Sequence, residues 1–452
     1  MRTTQPLIRP IYSQTNPNEP IDFGEVAIAF ESGDETEHIT AAARLRFTPR
    51  DKLEFICPVA EKPPFWAFRV GMRSDSGLEL TLVDRHVKFD ADLVGADKDG
   101  LVIGPRKSGV EVTRPTRFIS AVTFHLFNFP DFNGPESYIL LSGNPPHQGV
   151  RRLGRSVLKA NGWVVTIAAT DRTKDLVQAI KQQGGHCITH IGRIVRDDGS
   201  TFSSSQLDGL LSCLSYFLSF ALGRWSCVAL PVGVDALGKR IHEEWGLRII
   251  ADGPWPAGSS WFDAHHAELL SQVFPGFFSL WSNDTWQRPL TNALYWYFGA
   301  TDRGASISVD TTTVHTQAAL ETLAWTHCVQ DRQMVSPRAF GRGGLAAADK
   351  IRLLLSSLGI PRDIPNELCA LSARVGQEWS DGPEAITQIR NSLVHPNKQS
   401  TVSDDAYYDC WRLSLWYIDL VILRLCRHDG KYANRLKTGW VGAVESVPWA
   451  SG

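Results

Sequence analysis

The sequence lacks a CxxC cysteine pair, an apolar run long enough for a bilayer, an excess of either charge and any repeated unit. Each absence excludes something. The eight cysteines (Cys57, Cys187, Cys213, Cys227, Cys328, Cys369, Cys410, Cys426) are scattered, which supports neither a secreted disulfide framework nor a zinc ribbon. The longest apolar stretch, 210–222 between Asp208 and Arg224, is well short of the roughly twenty residues that a spanning helix needs. The first twenty residues are rich in Thr, Asn, Gln and Pro with no apolar segment, so no signal peptide is expected. Lys and Arg number 46 against 48 Asp and Glu, so any attraction to nucleic acid must come from a local patch. Without a 20–50-residue repeat, no solenoid or propeller is expected. These absences together predict a cytoplasmic protein with no membrane association.

What is present is a chain of 452 residues, 43% hydrophobic and 10% aromatic, which predicts more than one domain with well-filled cores. Short or alternating apolar runs predict strands at 26–30, 41–47, 53–59, 65–70, 78–83, 117–127, 138–141, 163–168, 187–195, 227–232 and 247–250. Helical spacing interrupts at 173–183 and at 205–222, where Leu207, Leu210, Leu211, Leu214 and Leu218 share a stripe and Ser204 or Ser205 suits the cap. From Asp284 the pattern turns helical: 288–298, 310–330, 345–358, 383–394 and 404–427. The expected organisation is α+β multidomain, with an extended lead at 1–22, a β-rich α+β domain at 23–283, a helical bundle at 284–437 and a tail at 438–452. The last helix is apolar on two faces, one with Trp411, Leu415 and Ile418 and one with Leu413, Trp416 and Leu420, an argument for dimerisation.

The stretch from Gln388 to Pro396 carries the chemistry. Ile386, Ile389 and Leu393 make the buried stripe of a short helix, while Thr387, Asn391 and His395 follow one another at steps of four on a polar face. Pro396 disfavours helical geometry at His395, which places the imidazole at the helix C-terminus, where the partial negative charge favours its protonated form. Arg390 offers a cationic fork for a phosphate. Such a set suits metal-independent cleavage of RNA. The 2′-hydroxyl attacks, His395 moves the proton and Arg390 offsets charge on the non-bridging oxygens, leaving a 2′,3′-cyclic phosphate and a 5′-hydroxyl. No metal or cofactor is called for.

The segment 284–435 resembles the HEPN domain, in particular its Apea-like group. The resemblance rests on Ala293-Leu294-Tyr295-Trp296-Tyr297, on the stretch from Gln317 to Trp325, and on Arg390-Asn391 followed by His395. It implies a bundle of four to five helices, usually a homodimer, with Arg390, Asn391 and His395 lining a composite cleft. It further implies an endoribonuclease of phage defence or abortive infection, with RNA as substrate. The β-rich part would then sense a phage-derived or cellular trigger. The alternatives are an inactive bundle that binds RNA or a nucleotide, and a ligand sensor that only dimerises. Glu321, on an otherwise apolar face with Val314, Ala318 and Trp325, needs a partner, and Arg390 is the expected one.

Other features have plainer readings. His265 and His266, beside Asp263 and Glu268, point to different helix faces and suit an exposed helix start rather than a metal site. His186 and His190 read as structural, and Gly341 to Gly344 as a connector rather than a P-loop. The aromatic series Trp255, Trp261, Phe262, Phe274, Phe277, Phe278, Trp281 and Trp286 reads as packing between domains.

Overall fold

The computed structural model describes residues 8–32, 35–47, 52–58, 78–107, 109–111, 118–134, 138–142, 147–151, 154–247, 260–301, 309–341, 343–395, 402–437, 440 and 442–450. Alternation of apolar and polar residues turns the N-terminal part into a closed antiparallel barrel. Its strands are β1 (Ile21–Ser32), β2 (Glu35–Arg46), β3 (Lys52–Cys57), β4 (Leu78–Leu82), β5 (Val87–Asp97) and β6 (Gly100–Pro105), in the order β1-β2-β3-β6-β5-β4. Because successive side chains point to opposite faces, Val26, Ile28 and Phe30 turn inward with Ala41, Ala43, Leu53, Phe55, Leu80 and Leu82. Glu54 lies between two inward residues and is itself buried, held by Arg44 at 3.2 Å and Arg46 at 2.6 Å. Strands β5 and β6 are absent from the sequence expectation, although Val87, Phe89, Ala91 and Leu93 of β5 alternate with Lys88, Asp90 and Asp92. The expected strand at 65–70 lies outside the described residues.

A seven-stranded antiparallel sheet follows. Its strands are β7 (Gly109–Glu111), β8 (Ala121–Phe127), β11 (Arg155–Ala160), β12 (Trp163–Ala169), β13 (Ile188–Arg196), β14 (Cys227–Val234) and β15 (Arg240–Gly246), ordered β11-β12-β13-β8-β14-β15-β7. Strands β9 (Tyr138–Ser142) and β10 (His147–Arg151) form a separate hairpin. Asn161 and Gly162, at φ 46° and 74°, make the two-residue turn that sets Ala160 opposite Trp163. Strand β15 was not expected, since Glu243 and Glu244 hide its apolar pattern; of the strand expected at 247–250, residues 248–250 lie outside the described residues. The barrel joins this sheet through Trp245 of β15, which stacks on Phe23 at 4.7 Å while its indole N–H bonds to Glu243, itself paired with Arg85 at 2.7 Å.

Helix α1 (Thr173–Gln183) covers the expected residues. Helix α2 (Ser204–Leu222) buries the predicted leucine stripe, but its cap is Ser203, one residue earlier than expected. The reason is reciprocity: the Ser203 hydroxyl accepts from the Gln206 N–H while the Gln206 side chain accepts from the Ser203 N–H.

The helical part begins at α3 (Glu268–Trp281), earlier than the change of pattern at Asp284. It continues with α4 (Gln287–Thr301), α5 (Val309–Trp325), α6 (Ala347–Ser357), α7 (Gly382–Val394) and α8 (Asp404–Leu425). The helix expected over 310–330 stops at Trp325 and widens into a π turn, Thr326–Asp331. Helix α3 carries half of the aromatic series: its Phe274, Phe277 and Trp281 are buried, as are Trp261, Phe262 and Trp286 outside it, and Trp255 lies outside the described residues. One continuous apolar core includes Phe124, Val165 and Ile194 of the sheet, Phe217 of α2, and Leu294, Leu320, Ile386 and Leu420 of the bundle. The chain is thus α+β, with a β-rich N-terminal region and a helical C-terminal region.

Helix α8 corrects one inference. Trp411, Leu415, Ile418 and Ile422 on one face and Leu413, Trp416, Leu420 and Leu423 on the other are all buried within a single chain. Its central position among α3, α5 and α7 supplies both partners, so its two-sided apolarity no longer argues for a second copy.

Close helix contact also requires Gly276, which follows Pro275 inside α3. A Cβ there would lie 1.8 Å from the Cys426 carbonyl oxygen, just past the end of α8. Gly276→Ala is therefore expected to lower stability by about 3 kcal/mol, read as a fall in the urea midpoint. A variant as stable as the parent would contradict this contact.

Candidate functional site

Helix α7 is fixed at its start by Asp381, whose carboxylate accepts from the Glu384 N–H at 3.0 Å and pairs with Arg352 at 2.7 Å. Ile386 and Ile389 are buried as expected, while Leu393 is only half-buried. His395 caps the far end in an extended conformation, its N–H bonded to the Asn391 carbonyl at 3.1 Å and its ring exposed. Arg390 is half-buried and donates from Nη1 to Asn391 Oδ1 at 3.4 Å.

Five residues along a helix turn the side chain by roughly 140°. Arg390 and His395 accordingly leave the helix in different directions. Among the described residues no hydrogen bond or ion pair joins them.

Glu321 does not pair with Arg390. Its carboxylate accepts from Gln317 Nε2 at 2.7 Å and lies 3.8 Å from Lys350 Nζ. The residue was correctly read as needing a partner. Periodicity assigns a face to it but does not say which helix lies opposite, and the cation that meets it belongs to α6.

This contact lies in an open cleft of about 810 Å³ between the start of α4, the end of α5 with its π turn, and α6. The half-buried indole of Trp325 forms one wall and meets Phe340 edge-on at 5.5 Å. Lys350 Nζ lies 5.1 Å above the Phe340 ring, a cation–π contact that holds the ammonium at the cleft wall. Arg288 and Asn292 reach in from α4, both exposed, and Gln330 from the π turn. The Thr322 and Thr326 hydroxyls also line it but are spent on helix carbonyls, at 2.8 and 3.0 Å. An extra residue in a helical turn pushes backbone outward, which is why π turns often mark working surfaces.

Of these residues the sequence reading singled out only Glu321 and Trp325. Arg288, Asn292, Gln330 and Lys350 are ordinary polar residues in three segments, and only Arg288 and Asn292, four apart on α4, are related by local spacing. Gly341 reaches the cleft rim; Arg342 of the same loop lies outside the described residues.

Among the described residues no group of three or more His, Cys, Asp and Glu is placed to hold a metal ion. His266 instead bridges Glu268 at 2.9 Å and the Gly442 carbonyl at 2.9 Å, and its bond to Glu268 raises its pKa. His190 is buried and stacks on Phe132 at 5.0 Å, a structural role.

Residues 283–446 match the YopA C-terminal domain family, and residues 114–255 match the YopA central domain family. The likeness is to YopA. Over 442 residues the chain is 27% identical to the SPbeta prophage-derived uncharacterized protein YopA of Bacillus subtilis (strain 168), covering 96% of this chain and 95% of that one. No solved structure matches. These findings overturn the HEPN resemblance, because the YopA C-terminal match spans the segment that suggested it. Apolar stripes at helical spacing and an Arg five residues before a His recur in many helical bundles, so the quoted features were too loose to identify a family. The YopA C-terminal match holds both the Trp325 cleft and the Arg390–His395 helix, while the barrel precedes the YopA central match.

Proposed function

We propose that the helical region binds a phosphorylated nucleotide or the end of an RNA in the cleft beside Trp325. One observation carries this: an indole face, the Arg288 guanidinium and the Lys350 ammonium share a single open cleft. A base stacks on the indole, and the two cations take its phosphate. Asn292 and Gln330 supply amides able to donate to and accept from a base edge. Glu321 holds Lys350 in place and makes the cleft nearly neutral, which favours a small phosphate ligand over a long polyanion held by charge alone.

Binding is read by Trp fluorescence or calorimetry with uridine and adenosine monophosphates. The Arg288→Ala, Lys350→Ala double variant is expected to weaken it by roughly tenfold or more while circular dichroism stays that of the parent. Absence of binding by the parent chain at millimolar nucleotide would end this reading.

Cleavage through Arg390 and His395 is a second reading. It is favoured by the exposed imidazole at the end of α7 and the guanidinium steadied by Asn391. Since the two leave the helix in different directions, it requires Arg390 of one copy to face His395 of another. RNA incubated with the protein in EDTA is the test. Cleavage lost in both His395→Ala and Arg390→Ala, together with relief of growth arrest on expression, would make the chain a ribonuclease. Intact RNA would leave binding alone.

A further inference from the structure

A second groove, of about 430 Å³, lies where the sheet meets the bundle. Its lining includes Asn161, Trp163, Arg196, Gln206, Trp281 and Gln287. Trp163 is almost fully buried, and the Arg196 guanidinium lies over its ring at 4.6 Å, tied to the Asn161 carbonyl at 3.2 Å. What the groove presents is therefore the outer face of a planar cation backed by an indole. A guanidinium plane held in this way is a stacking surface for a base, with charge for the adjoining phosphate. The amides of Asn161, Gln206 and Gln287, all exposed, surround it.

This groove and the Trp325 cleft are neighbours. Asp284 lines both, and the first turn of α4 separates them, Gln287 on one side and Arg288 on the other. Both hold an aromatic side chain, a cation and uncharged amides. The Asp284 carboxylate at the junction is poorly placed for a phosphate and well suited to accept from a base N–H, such as the N3–H of uracil. A uniform cationic groove for a duplex backbone would not carry it.

We infer that the ligand is a single strand whose successive bases occupy two stacking stations, Trp325 and the Arg196–Trp163 pair, across Asp284. This rests on the nucleotide reading of the Trp325 cleft and extends it from one nucleotide to an oligonucleotide.

The test compares uridine monophosphate with 5′-phosphorylated oligouridylates of increasing length, up to about eight nucleotides, on the full chain. Affinity is expected to rise roughly tenfold or more once the strand reaches both stations. Arg196→Gln should erase that gain and leave the monophosphate affinity unchanged. Monophosphate binding with no gain in length overturns the second station and leaves the first standing. Equal weakening of monomer and oligomer by Arg196→Gln also overturns it, as does an equal gain for inorganic polyphosphate of matched charge. No binding of either nucleotide form removes both readings together.

Discussion

Asp419→Ala is expected to destabilise the chain by about 3–5 kcal/mol, a large share of the roughly 5–15 kcal/mol by which domains are usually stable. Asp419 is buried in α8. One carboxylate oxygen takes the Arg435 Nε–H at 2.6 Å and the other the Tyr297 hydroxyl at 2.7 Å, while Arg435 Nη2 donates to the same hydroxyl at 2.5 Å. Burial raises the Asp419 pKa, and Arg435 and Tyr297 oppose that rise. Removing the carboxylate strands a guanidinium whose side chain is only 5% exposed. Tyr297→Phe, which removes one hydroxyl and no charge, should cost only about 1–2 kcal/mol. Urea titration orders the variants. An apolar double replacement, Asp419→Leu with Arg435→Met, should be far less damaging than the two single changes added together. Additive losses would show that the pair is not coupled.

Acid is expected to weaken the protein well before its carboxylates titrate. His125 is fully buried, and its Nε2 accepts from the Ile11 and Tyr12 N–H groups at 3.3 and 3.1 Å, so its proton is on Nδ1, facing the Leu230 carbonyl at 3.1 Å. Burial lowers its pKa to about 4, and burial likewise lowers that of His190 to about 3. Unfolded, both protonate near 6.5. Below that value the unfolded chain binds more protons, so stability is full above it and is lost as pH falls towards the folded values. The slope is about 1.4 kcal/mol per pH unit for each residue, so roughly 4 kcal/mol is expected to disappear between pH 7 and pH 5. His242, His327 and His428, also lowered by burial, add to the same trend. His266, raised by Glu268, works against it. Urea midpoints across this range provide the measurement, and His125→Gln should reduce the slope. A midpoint that does not move from pH 7 to pH 5 would mean these imidazoles are not held neutral.

The legible and illegible parts of the sequence divide on physical grounds. Helices α1 and α7 were located within a residue because each buries one stripe and has polar ends, a signal contained in its own residues. Barrel strands such as β1 to β4 were legible for the same reason. Strand β5 was missed although Val87, Phe89, Ala91 and Leu93 alternate with Lys88, Asp90 and Asp92, whereas β15 was hidden by a buried, paired carboxylate, Glu243, next to Glu244. The π turn after Trp325 has no sequence signature at all. Glu321 was recognised as a residue in need of a partner, yet its cation proved to be Lys350, because facing helices are chosen by the whole core. Helix α8 makes the same point. Its two apolar faces were read correctly, and only the source of the covering surface was misplaced.

The apolar core running from the sheet into the bundle sets a limit on modularity. Two separate family matches suggest parts that could be exchanged between relatives like cassettes. Severing them would instead bare Phe220 and Tyr297 to water on opposite sides of the cut, since these buried rings meet 5.8 Å apart across the seam. Inheritance of the central and C-terminal segments as a single block is the arrangement such a seam favours.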